Sequence, residues 1–340
     1  MDDLHLIREL YTAPAPSDEV DADARARLTA AYARETPFTN PRRRGSARLR
    51  WGGAALGLLA SAAAAAVVIT SGDPEPLTAR EILLAAADSV ATTPAGGAYW
   101  VRSSVFGREL PEPGGRYTLK TATSMEVWLA ASAGDTWAIR QDLGAKPATS
   151  KDEAAWRAAG SPRQWPMSGQ PPVTIKADPG EREALKDETG KTLTLLGTPM
   201  TVTTLRGLPT SPDTLRAHLE RLVAKGYGEA PSNMDEQLFE NGAKLIMNFP
   251  VSPEVRAATF RMLAALPGAT AQEEATDPLG RPGQAVIHDG SRLVVDTSTG
   301  QPLALETTVN GSRSYDAIKS ATWTDKQPDL PAKRTTMNRD

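Results

Sequence analysis

Residues 51–72 contain no charged side chain: Trp51 is followed by the alanine- and glycine-rich run GGAALGLLASAAAAAVVIT, then by Ser71 and Gly72. A helix rises about 1.5 Å per residue, so about 20 such residues cross a hydrocarbon layer about 30 Å thick. The two flanks differ. Arg42, Arg43, Arg44, Arg48 and Arg50 precede the run, whereas Asp73 and Glu75 follow it and the next cation is Arg80. Cationic flanks stay in the cytoplasm. The pattern therefore predicts one transmembrane helix in the cell membrane, residues 1–50 inside and the rest outside. Alanine makes the span only weakly apolar; Trp51, Leu56, Leu58, Leu59, Val67, Val68 and Ile69 supply most of the pull toward lipid. A cleaved signal peptide would carry its apolar core near the start, although the alanines do offer small-residue cleavage sites. Gly53 and Gly57 stand four residues apart, the spacing that lets two membrane helices pack closely.

Composition narrows the rest. The chain has no cysteine, which rules out disulfides, thiolate metal sites and a cysteine nucleophile. A formal net charge of −3 without a basic stripe gives no reason to invoke nucleic acid as a partner. The segment beyond the span is long enough to bury a core without covalent staples.

The cytoplasmic segment reads as two short helices. In MDDLHLIRELY, Leu4, Ile7, Leu10 and Tyr11 recur at helical spacing, and Asp2 and Asp3 suit a helix N-terminus. Pro14 and Pro16 interrupt the pattern, and Ser17 can cap a second helix whose stripe is Val20, Ala24, Leu28, Ala31 and Tyr32. Such a pair is too small to bury a core of its own. It is either a solvated tail or a docking element that orders on a protein partner through Leu4, Ile7, Leu10, Leu28 and Tyr32.

Beyond the span, PEPLTAREILLAAADSVA specifies a helix start: Thr78 as N-cap, Glu81 completing a capping box, Leu77 and Ile82 at the staple positions. From Tyr99 the period changes to two. AYWVRSSVF, RYTLKTATSMEVWLA and DTWAIRQ predict strands, with Met125, Val127 and Leu129 on one face and Glu126 and Trp128 on the other. Residues 142–190 lose periodicity and predict a surface excursion packed by Trp156 and Trp165. Two helices with Ser-Pro starts follow: Ser211-Pro212 with the stripe Leu215, Leu219, Leu222, Val223 ending at Gly226, and Ser252-Pro253 ending at Pro267-Gly268. TAQEEATDP, GQAVIHD, SRLVVDTSTGQPLALETTV and RSYDAIKSATW predict an antiparallel meander turning at Thr299-Gly300. The expected class is α+β, a curved antiparallel sheet with helices on one face, over residues 73–330 with a flexible C-terminus at 331–340.

The hairpin RLVVDTSTGQPLALE, the opening MDDLHLIREL, the ADARARLTAAYA helix, the arginine cluster, the single span and FRMLAALPGAT together resemble a family of actinobacterial single-pass membrane proteins of unknown function. The resemblance covers most of the chain, and its motifs are structural rather than catalytic. Members are often encoded beside extracytoplasmic-function sigma factors, which implies a signalling role and a cytoplasmic partner such as a sigma factor. Zinc-containing anti-sigma factors carry His-x3-Cys-x2-Cys in the tail; only His5 is present here. The exterior part is faintly similar to lipoprotein-carrier (LolA-like) domains, in which a curved sheet wraps helices around an apolar cavity.

Enzyme signatures are missing from the sequence. His218 falls off the stripe of its helix and is expected on the surface; His288 in VIHDG is expected in a turn. No H-E-x-x-H, G-x-S-x-G or S-x-x-K pattern occurs. Gly190-Lys191-Thr192 is similar to a phosphate loop, but Leu185 occupies the position of the required glycine. Asp277-Pro278-Leu279-Gly280 reads as a turn, and nothing points to a cofactor. Paired glycosidase carboxylates need no local pattern, so an exterior hydrolase remains a third reading. The first is a membrane-anchored sensing or ligand-binding domain with a regulatory tail; the second is a tethered carrier of an apolar ligand.

Overall fold

A computed structural model describes residues 76–337 apart from 91–95, 133–134, 169–171, 188–193, 228–230, 232 and 310. The expected tail, its docking residues, the topology arginines and the span with Gly53 and Gly57 all lie outside the described residues. Among the described residues, no helix is long and apolar enough to cross a membrane.

The domain is α+β. It begins with α1 (Ala79–Asp88), whose capping box forms as its sequence specifies: Thr78 Oγ1 accepts from the Glu81 amide, and the Glu81 carboxylate accepts from the Thr78 amide. Ile82 and Leu83 are fully buried, each worth about 1.5–3 kcal/mol of transfer free energy. Leu77, expected to staple onto Ile82, keeps 41% of its surface exposed.

Three long strands follow, β1 (Tyr99–Pro111), β2 (Thr118–Ala130) and β3 (Thr136–Pro147). The excursion at 142–190 is more ordered than its sequence suggests. It holds the end of β3, helix α2 (Ser150–Ala158), the hairpin β4 (Gln164–Met167) and β5 (Val173–Lys176), and strand β6 (Glu183–Asp187). Its tryptophans do pack it: Trp165 Nε1 donates to Tyr117 Oη at 2.8 Å and Trp156 Nε1 to the Pro162 carbonyl at 2.9 Å. After the short pair β7 (Thr194–Leu195) and β8 (Thr198–Pro199) come four helices, α3 (Val202–Arg206), α4 (Pro212–Tyr227), α5 (Met234–Asn248) and α6 (Pro253–Leu263). Both Ser-Pro starts work as expected: Ser211 accepts from the Thr214 amide and Ser252 from the Val255 amide. Gly226, expected to stop α4, lies inside its last turn.

Strands β9 (Thr270–Thr276), β10 (Pro282–His288), β11 (Ser291–Asp296), β12 (Gln301–Val309) and β13 (Ser312–Thr324) form the expected meander. The segment expected to be a flexible C-terminus instead contributes β14 (Lys333–Met337), paired parallel to β6. One sheet results, in the order β14-β6-β3-β2-β1-β13-β12-β11-β10-β9, antiparallel except at that edge.

Strand alternation sorts its two faces. Arg102 reaches the Met247 carbonyl of α5, so Trp100, Arg102 and Ser104 face the helices while Tyr99 and Val101 face away. Leu293, Val295, Leu305 and Ile318 line the helix side and share one core with α1, α4, α5 and α6. On β2, Glu126 and Trp128 share a face, as the alternation predicts, and Trp128 Nε1 donates to the Glu126 carboxylate.

Candidate functional site

Three places concentrate polar or structural specificity. The first is the hairpin at Asp296-Thr297-Ser298-Thr299-Gly300. The Asp296 carboxylate accepts from the Ser298 amide at 2.9 Å and from the Ser298 and Thr299 hydroxyls, while its main-chain carbonyl accepts from the Gly300 amide. Burial alone would raise the Asp296 carboxyl, but these donors hold it below the ordinary aspartate range. Gly300 has φ +65, and a Cβ there would lie 2.5 Å from the Ala86 carbonyl oxygen and 2.8 Å from the Val90 amide. The Asp296–Gly300 turn is thus a docking device. It presses its backbone against the end of α1.

The second is the ion pair beneath α5. Arg102, only 3% exposed, donates Nε to the Met247 carbonyl at 3.1 Å and Nη1 to Ser104 Oγ at 3.0 Å, and its Nη2 pairs with Asp316. Burial pushes the Asp316 carboxyl up, and the Arg102 charge pulls it back down. One Asp316 oxygen, Oδ1, and the Asn248 Oδ1 have no hydrogen-bond partner among the described residues. Arg102 also lies over the Phe106 ring, 5.5 Å from its centroid. Together these contacts tie the end of α5 to β1 and β13, which is a structural role.

The third is a shallow pocket of about 370 Å³ at the junction of α1 and α6, lined by Ala87, Val90, Thr210, Pro253, Glu254, Ala257 and Arg261. Its most prominent cation is already engaged, since Arg261 Nη2 donates to Asp88 at 2.8 Å. The layer between helices and sheet is occupied by side chains. Phe239, Phe260, Leu238, Leu245, Leu263 and Val286 are all fully buried there.

The histidines depart from expectation. His288 does precede a tight turn at Asp289 and Gly290, both of positive φ, but its ring is only 4% exposed. It stacks on Phe239 with centroids 5.2 Å apart and lies 3.0 Å from the Pro267 carbonyl through Nε2. Burial on β10 orients it toward α5, and a period-two reading of VIH would have placed it with the inward set. His218 is half-buried rather than solvated; burial, and then Arg221, lower its basicity. Asp277 does organise its turn, accepting from the Leu279 and Arg281 amides and pairing with the Arg281 guanidinium. Among the described residues no group of His, Cys, Asp and Glu is arranged to hold a metal ion. No known protein family matches the chain, and no curated protein is detectably similar to it.

Proposed function

We propose that this is a single-pass membrane protein whose extracytoplasmic α+β domain senses or binds a ligand and whose short cytoplasmic tail regulates a soluble protein, such as a sigma factor. The observation that carries the reading is continuity. The uncharged run with its arginine flank ends at Gly72, and a capped helix integral to the domain core begins at Ala79. Little chain separates them. A ligand-induced shift of α1 would therefore reach the span without a slack linker to absorb it. Side chains filling the helix–sheet layer favour this reading over a carrier of an apolar ligand.

The tail half of the proposal is tested with a fragment of residues 1–50 and a purified sigma factor from the same cell. Leu10→Asp should abolish binding, because a buried leucine contributes about 1.5–3 kcal/mol before ordering costs. Arg34→Ala, off the stripe, should bind like the parent. Equal behaviour of both variants would reduce the tail to a solvated leader.

A further inference from the structure

Residues 325–337 form a strap. After β13 ends at Thr324, the chain crosses the sheet face opposite the helices and re-enters the sheet as β14 on the far side of β6. That journey passes β1, β2, β3 and β6, which is five strand spacings or about 24 Å along the sheet. The nine steps from Thr324 to Lys333 reach at most about 30–32 Å when fully extended. The strap therefore crosses the sheet with little slack, and Pro328 and Pro331 restrict its backbone.

Apart from the five-residue parallel ladder of β14 on β6, its polar attachments are few. Asp325 accepts from the Ala98 amide at 3.0 Å, Gln327 accepts from the Tyr99 hydroxyl at 3.2 Å, and Lys333 pairs with Glu183 at 2.8 Å. Lys333 through Thr336 are exposed. Leu330 is the apolar anchor, and it packs onto a cluster built from one side chain or more of each strand crossed: Tyr99, Trp128, Trp137, Ile139 and Ala184. The other members of the cluster also hold one another. Tyr99 and Trp128 meet edge to face at 5.8 Å, Trp128 bonds Glu126, and Trp137 carries Lys186 over its ring at 5.9 Å. An aromatic strip beside an addable strand edge is the arrangement that receives extended, proline-containing peptides.

We propose that this strip and the β6 edge form an acceptor surface for an extended peptide of Leu-Pro character, which the chain's own C-terminal strap occupies as a removable latch. A competing peptide adds a parallel strand to β6 and inserts its leucine where Leu330 sits. The inference does not depend on the membrane reading.

The test uses the full-length protein in detergent and a labelled synthetic peptide with the sequence of residues 325–337. Leu330→Asp and, separately, Lys333→Glu should release the strap and raise affinity for the added peptide at least tenfold over the parent. A peptide in which its own leucine is replaced by Asp should not bind. Amide exchange in the parent should run at least a hundredfold faster for Thr335 and Thr336 than for the centre of β1. The proposal is overturned if exchange in β14 is as slow as in β1. It also fails if either variant folds yet binds peptide no better than the parent, or if both variants lose the cooperative unfolding transition.

Discussion

The Arg102 guanidinium on β1 and the Met247 main-chain carbonyl in the last turn of α5 meet at 3.1 Å inside the core. Helix C-termini leave carbonyls unpaired and carry partial negative charge, so a cation placed there satisfies both. The same guanidinium neutralises Asp316. One residue thereby joins the helix layer to two strands.

Arg102→Ala should therefore destabilise the domain by about 3–5 kcal/mol, because it leaves Asp316 buried without its counter-charge. The loss should be smaller at pH 5 than at pH 7. Burial already raises the Asp316 carboxyl, and without Arg102 the carboxyl would take up a proton and shed its buried charge. Urea midpoints at the two pH values measure this. An Arg102→Ala, Asp316→Asn double variant should recover part of the loss.

Gly300→Ala should be costly despite its size. The new methyl would sit 2.5 Å from the Ala86 carbonyl, and overpacking of this kind costs about 1–3 kcal/mol. The left-handed φ adds about 1–2 kcal/mol. Gly311→Ala, also at positive φ but with open space around it, should show only the second part. Comparing the two melting curves separates docking against α1 from turn strain.

Glu112 gives a pH signature. The Arg116 side chain and the Gly114 and Arg116 amides lower its carboxyl from 4.5 to about 2. A depressed folded value means that the stabilisation is fully present above about pH 4.5 and is lost as pH falls toward 2. Glu112→Gln should flatten the stability profile in that window while leaving its slope above pH 6 unchanged. A parent profile already flat between pH 2 and 4.5 would remove this assignment.

Where the local pattern was strong, the sequence was readable. The capping box at Thr78 and Glu81, the Ser-Pro starts of α4 and α6, the meander and the Asp296–Gly300 turn all stand where their residues place them. Helix α5 was not legible, although it is the most buried helix. Its sequence MDEQLFENGAKLIMN carries breakers at Asn241 and Gly242. Gly242 is there for packing: a Cβ would lie 2.9 Å from Leu263 Cδ2 and 3.0 Å from Met262 Cε, so the glycine lets α5 and α6 approach closely. Strand β14 is not legible because KRTTM has no alternation to read, and only its partner β6 makes it a strand. Arg102 was illegible as a core residue because its partners Met247 and Asp316 lie far away in sequence, whereas the period-two alternation of β10 would have placed His288 inward with Val286.

The central claim is topology, and the absence of cysteine allows a direct measurement. Ser17→Cys and, separately, Thr335→Cys each introduce one thiol, the first in the tail and the second on an exposed strand. Intact cells are treated with a maleimide that cannot cross membranes, before and after permeabilisation. The Thr335→Cys protein should label fully in intact cells and sediment with the membrane, and the Ser17→Cys protein should label only after permeabilisation. Labelling of Ser17→Cys in intact cells, protection of Thr335→Cys, or recovery of either protein in the soluble fraction would contradict the single-pass account.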